Sequence, residues 1–428
     1  MNGGMTKAAA HGAIAVLAGL LLSTASAQAA DLGGNCCADL EERVAELEAT
    51  TARKGNRRMS LTVSGQVSRS ILYWNDGDDS GTYAGLDNHN QSTRFVFNGS
   101  AKISPNVTAG FEFMTEWSGG ARTSQVDQTT PDIASATFGT PANGTDGTLN
   151  VRTANWWLED KRLGRLTVGR LNVGGPVGTI DLGGISTAAH FSPGLVGGSF
   201  QVAPLTRLGS VVGPTYGGDR VEGIRYDSPN LGGFIVQGTW GEDDAGAPLC
   251  AMPGEFGGIR VAAGIGYEAQ DSTPTQTIQL DTGARNMDNE WSASLALMHT
   301  ASGLFLQGHY AESEFFNGEE AKFWLIQGGI TKNWFGLGNT SLYGEYGNAE
   351  DYIKGGIAGQ VPVLFPAASS EVDFYGVGVV QQIDAAAMEL FLGWRRFETD
   401  ISGCAGVLAC GNGSSDLDLV HGGARIRF

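Results

Sequence analysis

Residues Leu61 to Trp74 read LTVSGQVSRSILYW, and their period is two. Leu61, Val63, Val67, Ile71 and Tyr73 fall on one face, and Thr62, Ser64, Gln66, Ser68 and Ser70 on the other. Such alternation marks a β-strand whose two faces meet unlike surroundings. Arg69 alone interrupts the apolar face. The scheme recurs in Arg94 to Ile103 (RFVFNGSAKI), where Phe95, Phe97, Ala101 and Ile103 oppose Arg94, Asn98, Ser100 and Lys102. It continues with Val107, Ala109, Phe111, Phe113 and Trp117 against Thr108, Glu112 and Glu116. A half-solvated soluble sheet and a barrel in lipid both produce strands of this kind. Aromatic placement separates them. Tyr73, Trp74, Trp117, Trp156, Trp157, Trp240, Trp291, Trp334 and Trp394 lie near strand ends, where the girdles of a membrane barrel belong.

Strands of this type are predicted near 60–75, 92–104, 107–118, 148–160, 164–173, 220–229, 232–243 and 259–270. Further ones follow near 289–301, 304–314, 322–335, 340–351, 371–383, 387–398 and 418–428. Short turns should alternate with longer loops on the opposite side. Counted from either end, that alternation clashes between Gly241 and Arg260, so a further strand is expected near Ala247 to Phe256, irregular because of Pro248 and Pro253. The expectation is therefore an all-β chain, a sixteen-stranded antiparallel transmembrane β-barrel over residues 60–428. Its longest connection is the third outer loop, Gly174 to Asp219, predicted to fold inward and narrow the lumen.

Composition agrees. The 428 residues include 65 glycines and only 17% charged residues. Lys plus Arg is 27 against 45 Asp plus Glu, a net charge of −18 that argues against nucleic-acid binding. An apolar content of 41% is too high for disorder. No apolar stretch beyond the N-terminus reaches the ~18 residues of a spanning helix, which excludes a polytopic helical protein.

Residues 1–29 have the layout of a secretory signal peptide, with Lys7, the apolar run Ala13 to Leu22 and the small-residue end Ala27-Gln28-Ala29. Residues 30–59 form a periplasmic segment. Within it, Leu40, Val44, Leu47 and Thr51 predict a short coiled-coil-like helix at about 39–53. So short a helix needs a partner: further copies of itself, the barrel rim or the cell wall. In an oxidising compartment Cys404 and Cys410 bracket a short loop suited to a disulfide, whereas Cys36, Cys37 and Cys250 have no pairing that the sequence selects. No His/Cys spacing suggests a zinc site. The pattern Asp76, Asp78, Asp79 and Asp87 echoes calcium-loop spacing, but without flanking helices. His89, His190, His299, His309 and His421 show no triad-like spacing, which argues against an enzyme, and no cofactor is implied.

The leader, the Cys36-Cys37 element with its continuation CADLEERVAELEATTARKG, and SLTVSG at Ser60 to Gly65 resemble alphaproteobacterial porins of the Rhizobiales type. The closing GARIRF, Gly423 to Phe428, resembles the assembly signal of outer-membrane proteins, with Phe428 as its terminal aromatic. The resemblance implies a homotrimer of sixteen-stranded barrels in the Gram-negative outer membrane that lets small hydrophilic solutes diffuse passively. The partners it implies are outer-membrane lipid and lipopolysaccharide, the barrel assembly machinery and peptidoglycan. It also implies a pore constriction of wall cations facing third-loop acids. Matched by segment, the cations are Arg94, Arg170 and Arg220, and the acid is Asp181. Acids in the outer loops favour cations at the mouth and the arginines favour anions at the waist, and the expectation for the channel is weak cation selectivity. Two other functions compete: a substrate-specific channel, and a structural barrel tethering the outer membrane to the cell wall.

Overall fold

The computed structural model describes residues 59–117, 122–128, 149–172, 180–203, 206–213, 220–241, 249–251, 254–269, 287–315, 318–355, 368–403 and 413–428. The leader, the coiled-coil segment, Cys36, Cys37, Cys404 and Cys410 lie outside them.

Among the described residues, β1 (Ser60–Asn75), β2 (Ser80–Asp87), β3 (Arg94–Lys102) and β4 (Val107–Trp117) come first. They are followed by β5 (Leu149–Asp160), β6 (Gly164–Asn172), β7 (Gln201–Ala203), β8 (Thr206–Arg207), β9 (Arg220–Asp227) and β10 (Ile235–Gly241). Next are β11 (Leu249–Ala251), β12 (Gly254–Phe256), β13 (Ile259–Ala269), β14 (Met287–His299) and β15 (Leu304–Phe315). The chain ends with β16 (Glu320–Lys332), β17 (Thr340–Glu350), β18 (Ser369–Ile383), β19 (Met388–Ser402) and β20 (Gly413–Arg427). All except β7 and β8, which pair with each other, belong to one 18-stranded sheet, and its neighbouring strands run antiparallel. The last strand returns to the first: Gln66 to Asn75 of β1 run against Arg427 to Asp418 of β20.

One expected strand is broken in two, and β2 is new. β2 and β3 lie end to end along β1, which pairs with β2 through Arg69–Asn75 and with β3 through Ser60–Gln66. The gap between them holds a 3-10 turn at His89–Gln91, started by Asn88, whose side chain accepts the Asn90 N–H. β2 was not expected, because it is the return limb of the first outer hairpin and carries glycines instead of a clear alternation. The irregular strand expected near 247–256 is likewise divided into β11 and β12, both paired with β13. Met252-Pro253 separates them, and proline cannot donate to a ladder. The tight turn between β14 and β15 needs Gly303: its φ is +75°, and a Cβ there would sit 2.0 Å from the Thr331 carbonyl.

The two faces of the sheet follow the period of two. On β1, Val63, Val67 and Ile71 are exposed, while Gln66, Ser68 and Ser70 are buried. Across the sheet, Trp156, Trp240, Trp291, Leu306, Ile326, Leu342 and Val377 lie exposed on the same outer face. An uncovered apolar face of this extent is stable only against hydrocarbon. No helix among the described residues is long and apolar enough to cross a membrane. Two expected girdle residues face the other way. Trp74 is buried, its ring 5.4 Å from Phe200, and Trp157 lies under the Arg165 guanidinium at 4.1 Å. Arg69, the exception on the apolar face, stands 5.7 Å from the centre of the Trp117 ring and donates to the Gly85 carbonyl.

Candidate functional site

The largest buried cluster lies on the inner face of the sheet, where the third loop meets it. Val196, Phe200, Val202, Leu208, Val211 and Val212 of the loop pack with Leu72 and Trp74 of β1, Phe323 of β16, Phe374 of β18, Phe397 of β19 and Leu417 and Leu419 of β20. Phe374 stacks between Phe323 and Phe397, at 6.0 and 5.8 Å. One stretch of the inner wall, on β16 and β18–β20 with β1, thus carries an apolar cluster that the loop covers.

Polar contacts pin the loop in place. The carbonyl of Gly183 accepts from the hydroxyls of Thr331 and Ser341. Thr187 donates to Glu389 at 2.6 Å, and its own carbonyl accepts from Asn88. Gln307 and Gln327 relay a chain of hydrogen bonds from Asp181 to Glu345. Glu345 takes a two-pronged ion pair from Arg395 at 2.8 and 3.0 Å. Arg395 also donates to the Pro193 carbonyl of the loop.

Asp181 therefore works within the loop. Its carboxylate accepts the N–H groups of Gly184 and Ser186, both at 2.8 Å. Burial pushes the carboxyl up from its usual range, against the pull of those amides. It does not face the arginines that the sequence set opposite it.

Those arginines separate into two groups. Arg170 shares the face of exposed Leu166 and stands opposite Glu222 in the β6–β9 ladder, 3.9 Å away, with both side chains well exposed. It does not join the others. The alternation explains this, because Leu166, Val168 and Arg170 share one parity. Arg94 lies on the inner face of β3 and donates to the Gln91 side chain at 2.7 Å. Its guanidinium is close enough to interact with Arg425 and Arg152, and Arg152 also feels Arg220.

Several members of this group were not anticipated. Arg152 and Arg122 both pair with buried Glu116. Arg425 and Arg427 share Glu389, at 2.6 and 2.9 Å. His190, on the loop, lies within electrostatic reach of Arg152, Arg94, Arg395 and His309. Arg152 was hidden by a β-bulge: the β4–β5 register shifts between Met114 and Thr115, which re-aims the side chain. Arg425 was legible on the polar parity of GARIRF, but that stretch was read only as a terminal signal.

At the chain end, Phe428 exchanges backbone hydrogen bonds with Gly65 and packs its ring 5.8 Å from Phe95. In the first outer hairpin, Asp76 accepts from the backbone of Asp78 and Asp79, and buried Asp87 accepts from Thr93. Each carboxylate thus serves its own turn, and they do not converge on a common centre.

A family model described as Gram-negative porin matches residues 13–402. Among solved structures, the anion-selective porin from Comamonas acidovorans is similar at 14% identity and a TM-score of 0.53, over 86% of this chain and all of that one. The outer-membrane channel DcaP of Acinetobacter baumannii is similar at 11% identity and 0.51, over 88% and 100% of the two chains. OmpF of Salmonella typhi, in complex with daunomycin, is similar at 15% and 0.50, over 87% and 98%. No curated protein matches.

Proposed function

Because this chain belongs to the Gram-negative porin family, we propose that it forms a water-filled channel whose waist lies between the third loop and the inner wall of β3–β9. It is an outer-membrane porin, a channel protein. The observation that carries the finer reading is the ladder in which β20 returns to β1, with every neighbouring pair antiparallel. Counting β2 with β3 and β11 with β12 as single spanning strands, and setting the β7–β8 hairpin aside, leaves sixteen. An even number is what an antiparallel barrel with both ends on one side requires.

The chain enters through its signal peptide, residues 1–29. The segment 30–59 stays in the periplasm and offers its helix to further copies or to the cell wall. The Cys36-Cys37 element and its continuation favour the alphaproteobacterial branch of the family. Assembly as a homotrimer follows the habit of that branch. Small hydrophilic solutes pass by diffusion along the polar inner face of β3–β9. Liposome swelling with sugars of increasing size tests this: swelling should fall smoothly with solute mass. Saturation by one sugar would instead identify a substrate-specific channel.

A further inference from the structure

We propose that the inner face of β6, β9 and β10, beside the turn Asp160 to Gly164, carries a binding step for small zwitterions, α-amino acids above all. The inference rests on the channel reading above and names a solute class for one part of its wall.

Two neighbouring rungs of the ladder build the site. In one, Arg165 of β6 stands opposite Asp227 of β9, which in turn stands opposite Gln237 of β10. In the next, Thr167, Arg225 and Thr239 are aligned in the same way. Leu166, Ile224, Tyr226 and Trp240, at the alternate positions, are exposed on the outer face, so these six side chains point inward. Thr167, Gln237 and Thr239 are buried, at 3, 2 and 4% exposure. Arg225 and Asp227 keep 17 and 11% of their side chains open, so a solute can touch them. Gly169, Gly223 and Gly241 form the rung beyond, and without side chains they leave room for a close approach.

Each of the six holds a buried polar atom with no hydrogen-bond partner among the described residues. These are Nε of Arg165 and Arg225, Oδ1 of Asp227, Nε2 of Gln237, and Oγ1 of Thr167 and Thr239. Buried polar atoms are nearly always paired, so a cluster left open points to a ligand. The cations are held in place: Arg165 lies over the Trp157 ring at 4.1 Å, and Arg225 stands 3.5 Å from Asp227. The open atoms carry full charges of both signs. An anion would leave the Asp227 oxygen unpaired, and a cation would leave the guanidinium N–H groups unpaired. A zwitterion satisfies both, because its carboxylate accepts from the guanidinium groups and its ammonium donates to Asp227. Gln237, Thr167 and Thr239 supply neutral contacts around it.

The experiment is uptake of labelled L-alanine into phospholipid vesicles carrying the full-length protein, with unlabelled L-alanine, lactate and alaninamide as competitors. Lactate lacks the ammonium of alanine, and alaninamide lacks its carboxylate. Influx should saturate as L-alanine rises, and only unlabelled L-alanine should compete at equal concentration. Asp227→Asn and Arg225→Gln should each raise the half-saturating concentration about tenfold, the loss of a charge-assisted hydrogen bond. Thr239→Val, which keeps the shape, should raise it about threefold and decides the matter if the charge-removing variants fail to assemble. Influx that stays linear in the unmodified channel, competition by lactate or alaninamide equal to that by alanine, or an unchanged half-saturation in the variants overturns the proposal. Swelling with a neutral sugar separates the two levels of failure. Sugar uptake with linear alanine influx sinks the zwitterion site alone, whereas uptake of neither solute sinks the channel as well.

Discussion

The two inner walls of this sheet are built on the same alternation and behave in opposite ways. On β16 and β18–β20, inward positions hold Phe323, Phe374, Phe397, Leu417 and Leu419, and the third loop covers them. On β3–β9, inward positions hold Arg94, Glu112, Glu116, Thr153, Arg165 and Arg225, and the loop leaves that side polar. The difference teaches what seats the loop. Apolar side chains on an inward face have no lipid to meet, so they recruit loop residues such as Phe200 and Val211 to exclude water. In the proposed channel, the solute path is what remains, beside the arginines, because the loop is held on the other side.

Removing the apolar grip should have the largest effect. Phe200 is fully buried against Trp74, and Phe200→Ala should cost about 3–5 kcal/mol of loop docking. Liposome swelling should then admit sugars that the unmodified channel rejects. An unchanged size limit would mean that the apolar wall does not hold the loop.

The contrast between outer and inner faces can be tested on one strand. Ile326 is half exposed on the outer face, and its neighbour Gln327 is buried on the inner one. Ile326→Arg should destabilise the folded barrel by about 2–4 kcal/mol near mid-membrane, read from urea-dependent folding into vesicles. Gln327→Ala, which removes a link in the chain from Asp181 to Glu345, should leave folding into vesicles nearly unchanged and loosen only the loop.

A smaller loss is expected where the loop is pinned by charge. Glu345→Gln takes the ion pair from Arg395 and should cost about 1.5–3 kcal/mol, since the amide oxygen can still accept one of the two guanidinium donors. The thermal midpoint of the heat-sensitive gel shift measures it.

The last effect concerns pH. Burial, followed by the charges of His309, Arg152, Arg395 and Arg94, pushes His190 down to about 3. The unfolded chain protonates this histidine near ~6.5, while the docked loop does not. Stability should therefore decline as pH falls from about 7 towards about 4, and His190→Gln should flatten that slope in thermal midpoints taken at the two ends.

Much of the strand map was legible because its signal is local. Leu61 to Tyr73 announces its outer face within thirteen residues, and the terminal strands were located to within a few positions. The disrupted strands were harder. β2 carries glycines instead of an alternation, and β11–β12 is broken by Pro253. The candidate site was legible only in part. Parity placed Arg94 inside, and the same rule, followed along Leu166 and Val168, would have placed Arg170 outside. Arg152 escaped because a bulge shifts its register, and the role of Asp181 depends on amides of Gly184 and Ser186 that only the folded loop presents.

Side-chain alternation acts between adjacent residues, so the chain alone determined that its strands have one apolar and one polar face, and the aromatics near strand ends pointed to a membrane. Which inward wall the third loop covers, and which guanidinium groups keep a carboxylate, depends on contacts between residues as distant as Thr187 and Glu389 or Glu345 and Arg395. Such pairs meet only once the sheet has brought them together, so tertiary structure decided where the passage runs and what charge lines it.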